Sequence, residues 1–132
     1  MTQPEITSIF LAKAEESIEG AGSELANGRF NNCANRCYYA CFQAAIACLL
    51  RAGIQSTNRQ WSHEFVHAQF VGELINRRKL YPSTLRQALA NTQSLRLKAD
   101  YREANVTQRE ASHALDWSTE LVTAAAQGGD RG

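Results

Sequence analysis

Apolar residues recur along this chain at intervals of three and four, and strict alternation persists nowhere, so the pattern predicts helices and no strands. Ile6, Phe10, Ala14, Ile18, Ala21 and Leu25 mark one stripe of a first helix that begins at Pro4, after Thr2 or Gln3, and stops at Asn27-Gly28. Residues 31–52 are apolar almost all the way round, broken only by a seam of Arg36, Tyr39 and Gln43. Such a helix belongs at the centre of a bundle. Phe30 before Asn31 or Asn32 reads as a hydrophobic staple at its start, and Gly53 as its left-handed cap.

After a polar loop at 54–60, Trp61, Phe65, Ala68, Gly72 and Ile75 outline a third helix, closed by Arg77-Arg78-Lys79. Ser83 is an expected N-cap for a fourth, with Leu85, Leu89, Thr92, Leu95 and Ala99 near one side. Thr107 and Glu110 have the spacing of a capping box, with Val106 placed to staple onto Ala111. The fifth helix then buries Ala111, Leu115, Ser118, Leu121, Val122 and Ala125. The expected fold is all-α, an up-and-down bundle of five helices whose first two form a long antiparallel pair. It fills a single domain, 1–127, followed by a disordered tail, 128–132.

Composition narrows the class. With 44% hydrophobic and 20% charged residues, the 132-residue chain is long enough for its own core. No membrane span and no leader pattern is visible, and the cytoplasm is the default location. Cys33, Cys37, Cys41 and Cys48 fall within an arc of roughly 80° on one helix, a poor geometry for bridging, and read as small buried hydrophobes. No metal or other cofactor is expected. The net charge of +1 hides an asymmetry. Residues 77–109 carry Arg77, Arg78, Lys79, Arg86, Arg96, Lys98, Arg102 and Arg109 against Asp100 and Glu103 alone. That segment is either a solvated face or a docking surface for phosphates or an acidic partner.

Two constellations carry candidate chemistry. His63-Glu64-Phe65-Val66-His67 spells a zinc-hydrolase string, in which His63 and His67 would share the metal and Glu64 would act as base. It needs a third ligand, for which Glu73 and His113 are the nearest candidates. The second is Arg96-Leu-Lys-Ala-Asp100-Tyr101. Arg96 and Asp100 are one turn apart and can pair, and Arg36 and Tyr39 of the central helix are their natural neighbours. This group is either a structural polar network or an arginine-lined groove for a phosphate.

Arg36-Cys37-Tyr38-Tyr39-Ala40-Cys41-Phe42 resembles the Arg-x-Tyr-Tyr-Ala-x-Phe signature of HEPN domains (higher eukaryotes and prokaryotes nucleotide-binding). Trp61-Ser62-His63 with Phe70, and Arg96-x-x-Ala99-Asp100-Tyr101, are similar to the following blocks, so the resemblance spans roughly residues 8–125. It implies a helical bundle that forms a homodimer, binds RNA or a nucleotide, and pairs with a nucleotidyltransferase antitoxin in a toxin–antitoxin setting. Toxic members are metal-independent ribonucleases with an Arg-x(4–6)-His motif. Here Arg96 stands where that arginine belongs, but Asp100-Tyr101 stands where the histidine is expected, and Gln43 replaces a histidine common in relatives. Histidine is the side chain suited to moving protons near neutral pH. The resemblance therefore implies a binding or regulatory member contacting RNA or nucleotide through Arg36, Tyr39, Gln43, Arg96 and Arg102. A divergent endoribonuclease acting through Arg96, Asp100 and Tyr101 is the alternative.

Overall fold

The computed structural model describes residues 1–56, 58 and 60–128. Among them are five helices in an up-and-down bundle: α1 (Gln3–Ala26), α2 (Phe30–Arg51), α3 (His63–Gln69), α4 (Ala88–Tyr101) and α5 (Gln108–Gly128). A π-helical segment, Phe70–Arg77, continues α3, and a short 3₁₀ turn, Ser83–Leu85, leads towards α4. No strand occurs among the described residues, and no helix among them is long and apolar enough to cross a membrane.

α2 is the axle, as its composition requires. Its inward residues run from Cys33 and Ala34 through Cys37, Tyr38, Ala40 and Cys41 to Leu50, all buried. α1 meets it through Ala14 and Ala21, both fully buried, where small side chains allow close approach. The core divides along α2. One cluster gathers Cys33 and Cys37 with Ala21, Val106, Ala111 and Ala114. The larger one gathers Cys41 and Cys48 with Phe70, Leu74, Leu89 and Leu121. No thiol is in a disulfide; Cys33 Sγ and Cys37 Sγ lie 4.0 Å apart. Burial pushes the Cys41 thiol up to about 12 and Cys48 to about 11, so both are protonated and inert at neutral pH. The buried Thr92 and Ser118 hydroxyls donate to carbonyls one turn back, Ala88 at 2.7 Å and Ala114 at 2.8 Å.

The helix ends show where local sequence governs and where it does not. Thr2 and Glu5 form a full capping box on α1, and Thr107 and Glu110 form the expected one on α5, at 3.0 and 3.1 Å. α2, by contrast, starts at Phe30, with Arg29 at the cap position and no side-chain cap bond, so Phe30 is not a staple before an asparagine cap. Asn31 is used elsewhere. Its Oδ1 accepts from the Val106 N–H at 2.9 Å and its Nδ2 donates to Asn105 Oδ1 at 3.1 Å, fixing the α4–α5 connection. Gly53, at φ +85°, supplies the left-handed turn after α2.

The third helical region departs most from its expected pattern. Ala68 and Gly72 are exposed, and the buried residues are Val66, Phe70, Leu74 and Ile75. Ser62 accepts from the Phe65 N–H at 3.1 Å and so sets the phase that turns Val66 inward. The wider π turn then shifts the phase again, which no periodic pattern signals. Ser83 does not cap α4; it opens the 3₁₀ turn after Pro82, and α4 begins at Ala88. At the far end, Gly128 closes α5 against α2. A Cβ there would come within 2.8 Å of Tyr81 Oη and 2.9 Å of an Arg51 nitrogen that donates to the Ala125 carbonyl. The expected tail lies, from residue 129 on, outside the described residues, as do Thr57 and Arg59 of the expected loop 54–60.

Candidate functional site

Where α2 crosses α4, the seam is polar. Asn35, Tyr38 and Tyr39 share one side of α2 by their spacing, and Gln93, Arg96 and Asp100 share one stripe of α4. The Arg96 guanidinium carbon lies 5.2 Å from the centre of the Tyr38 ring and 5.6 Å from that of Tyr39. These are cation–π distances, with the two rings edge to face at 5.3 Å. Asp100 Oδ2 stands 3.8 Å from Arg96 Nε, close enough for charge attraction but too far for a hydrogen bond. Asp100 instead accepts from Asn35 Nδ2 at 2.9 Å.

This geometry leaves polar atoms unmatched. Buried side-chain atoms without a hydrogen-bond partner among the described residues include Arg96 Nε, Asn35 Oδ1 and Gln93 Oε1. Two belong to the Arg96–Asn35 cluster itself, and Gln93 lies one turn before Arg96. A buried donor without an acceptor costs free energy. An open cleft of ≈ 340 Å³ adjoins it, lined by Glu24, Asn32, Asn35, Arg36, Tyr39 and Asp100. That lies within the range of small-ligand sites.

On its other side Tyr38 touches α3. Its hydroxyl is 3.1 Å from His63 Nδ1, with the rings 5.7 Å apart. His67, one turn on, stacks nearly parallel to His63 at 5.8 Å. Burial pushes the Tyr38 phenol up to about 12, so it stays protonated at neutral pH. His63 is held below its usual value, first by burial, then by the charge of His67 and more weakly of Arg96, with Glu64 opposing. The balance favours the neutral form of the imidazole.

The expected residues separate into two groups. Arg36, Tyr39, Arg96 and Asp100 come together at the seam. Gln43 faces α1 instead, its amide 2.9 Å from the Ser17 hydroxyl and 3.1 Å from the Lys13 and Tyr39 carbonyls. Arg102 lines a separate shallow cleft with Ser94, Lys98 and Ala104, and Tyr101, 74% exposed, points to solvent at the end of α4. Tyr38, Asn35 and Gln93 join the site although the sequence pattern gave them no role. Tyr38 is only 5% exposed and reads as core, yet its adjacency to Tyr39 in a seam facing Arg96 was the available clue. The zinc string does not assemble a centre: among the described residues no three His, Cys, Asp or Glu side chains converge to hold a metal.

The basic run 77–109 is likewise not one continuous surface. Arg77 and Arg78 both reach Glu73, at 2.6 and 3.5 Å. Arg86 donates to Asn76, and Lys98 to Glu110 at 2.8 Å. Each of these cations has a protein acceptor, whereas Arg96 has only the distant edge of Asp100. A sequence model of the HEPN domain matches residues 7–128. A comparison with curated proteins returned no match.

Proposed function

Because the chain belongs to the HEPN domain family, we propose that its α2–α4 seam is an RNA-binding site in which Arg96 holds a backbone phosphate and Tyr39 stacks on a base. The observation that carries this reading is the unpartnered Nε of Arg96, whose guanidinium packs against two tyrosine rings. A guanidinium presents donors in a planar fork that matches phosphate oxygens, and an exposed aromatic face accepts any base. Tyr39, 43% exposed, offers that face, and Arg36 lines the same cleft. Asp100 and Glu24 at the margins favour a single strand threaded past Arg96 over a broad, uniformly basic footprint.

The toxin–antitoxin setting, the homodimer and the nucleotidyltransferase partner belong to the same proposal. Leu97 and Tyr101, exposed and one turn apart on α4, border the seam with apolar surface against which a second chain would close it. Fluorescence anisotropy with a labelled single-stranded RNA tests the site. Arg96→Ala is expected to weaken binding with the helical content unchanged, and equal affinity of the two proteins would reduce the seam to a structural device.

A further inference from the structure

We propose that the cleft beyond the π segment is a binding site for a small molecule carrying a phosphate monoester, held by Lys79 and Arg86 and seated against the Tyr81 ring. The cleft measures ≈ 440 Å³ and is lined by Ile75, Asn76, Lys79, Tyr81, Ser83 and Arg86. It shares no lining residue with the α2–α4 cleft, so binding here stands apart from the RNA-binding reading. The two clefts also differ in sign. Glu24 and Asp100 border the first beside Arg36, whereas two cations and no carboxylate border the second.

Lys79 reaches this position because of how the π segment ends. The Arg78 N–H donates to the Glu73 carbonyl and the Leu80 N–H to the Leu74 carbonyl, each at 2.8 Å. That closure turns the chain through Lys79 at φ +54°. This is the left-handed position at a helix end that glycine fills without a Cβ penalty. A lysine there strains the backbone, and among the described residues its ammonium has no ion pair that would offset the strain. The two cations before it are used differently, since Arg77 and Arg78 both reach Glu73. π turns recur at functional sites, where the wider turn takes side chains out of helical register.

Arg86 lines the cleft from the end of the 3₁₀ turn, with its guanidinium held in a fixed plane. Its Nε and Nη2 both donate to Asn76 Oδ1, at 3.0 and 2.7 Å. The Nη1 hydrogens are thereby kept for another acceptor, and Asn76, accepting at its oxygen, keeps its amide hydrogens to donate. Ser83 adds a hydroxyl. An array of donors with net positive charge suits the terminal oxygens and near-double charge of a phosphate monoester. The apolar side is Ile75, which is buried, and Tyr81, whose hydroxyl is turned towards Gly128 and Arg51. Tyr81 thus offers ring to the organic part of a ligand. A volume of this order takes a compact molecule.

The test uses the full chain with phenyl phosphate as probe, read by calorimetry and by amide NMR shifts at low ionic strength. Saturable binding is expected, with shifts centred on residues 75–86. Phenyl sulfate, which carries a single negative charge on a similar shape, should bind at least about tenfold more weakly. Inorganic phosphate, with no ring to set against Tyr81, should also bind more weakly than phenyl phosphate. Lys79→Gly should lower affinity for phenyl phosphate at least about tenfold while leaving the melting temperature equal or higher, because it removes the cation and the backbone strain together. A merely structural lysine would not move the two readouts in opposite directions. Arg86→Gln should weaken binding by a similar factor, and Arg96→Ala should leave it unchanged. The proposal is overturned by absence of saturable binding at millimolar phenyl phosphate, by shifts centred on Arg36, Tyr39 and Arg96, or by wild-type affinity in Lys79→Gly. Loss of single-stranded RNA affinity in Lys79→Gly by the same factor also overturns it, since the cleft would then belong to an RNA footprint. Should Arg86→Gln lose helical content, the Lys79→Gly result decides alone.

Discussion

Glu73–Arg77 and Arg96–Asp100 are the same motif by spacing, a carboxylate and an arginine one helical turn apart, yet they differ in almost every physical respect. In the first the acid precedes the base, the better order along a helix. The arginine is 64% exposed, the groups are bonded at 2.6 Å, and a second arginine, Arg78, joins them. That contact holds the Glu73 carboxyl below its usual range. In the second the order is reversed, the arginine is only 22% exposed, and the closest approach is 3.8 Å. Arg96 is held by tyrosine faces and Asp100 by Asn35, so each member has a partner other than its nominal one. An ion pair satisfied on the surface closes an account between two charges; one held apart inside a seam leaves both able to meet a ligand.

The contrast predicts an ordered set of responses. Arg96→Ala has the largest: RNA affinity should fall at least about tenfold, since a charge-assisted bond to phosphate contributes about 1.5–3 kcal/mol. Arg96→Lys should recover only part of it, because an ammonium cannot fork or stack in the same way. Next comes Asp100→Asn. Removing the competing negative charge from the cleft should tighten RNA binding by a few-fold, and a looser complex in anisotropy titrations would show that Asp100 positions Arg96 instead of competing with the ligand.

A smaller effect is expected from acid. Glu110 is held below its ordinary range chiefly by Lys98 and then by the Thr107 backbone, so its contribution to α5 is present above the ordinary glutamate pKa. It is lost as pH falls through the lowered value. Circular dichroism melts across that interval should show a modest loss of stability, and Glu110→Gln should flatten it. The smallest effect belongs to Arg77→Ala. It should leave RNA affinity unchanged and shift the folding free energy by less than about 1 kcal/mol, measured by urea titration. A large affinity loss there would erase the distinction between the two pairs.

Much of this was legible in the residue order. The inward run of α2, the small-residue contacts of α1 and the box at Thr107 and Glu110 are local or periodic properties, and they appear where the pattern places them. The convergence of Arg36, Tyr39, Arg96 and Asp100 followed from matching one polar seam to one polar stripe. What stayed hidden depended on phase or on distance. The π turn of Phe70–Arg77 places burial on Phe70, Leu74 and Ile75, and no residue type announces it. His63 carried a familiar metal string that drew its reading towards zinc, while its actual partner, Tyr38, lies 25 residues away on another helix. Gln43, in a seam position by angle, turned out to serve the α1 contact because α1 covers that end of α2.

The cysteines, which take no part in the proposed chemistry, give the molecule a built-in stopwatch. Cys33 and Cys37 lie in one cluster and Cys41 and Cys48 in the other, so the two halves of the core each carry a pair of concealed thiols. A thiol reagent can modify a given pair only while its half is open, so the labelling rate of each pair reports how often that half breathes. Opening of the α4–α5 end would reveal the first pair, and opening around the π turn the second. Peptide-resolved labelling can therefore time the two events separately in the unaltered chain, with and without RNA.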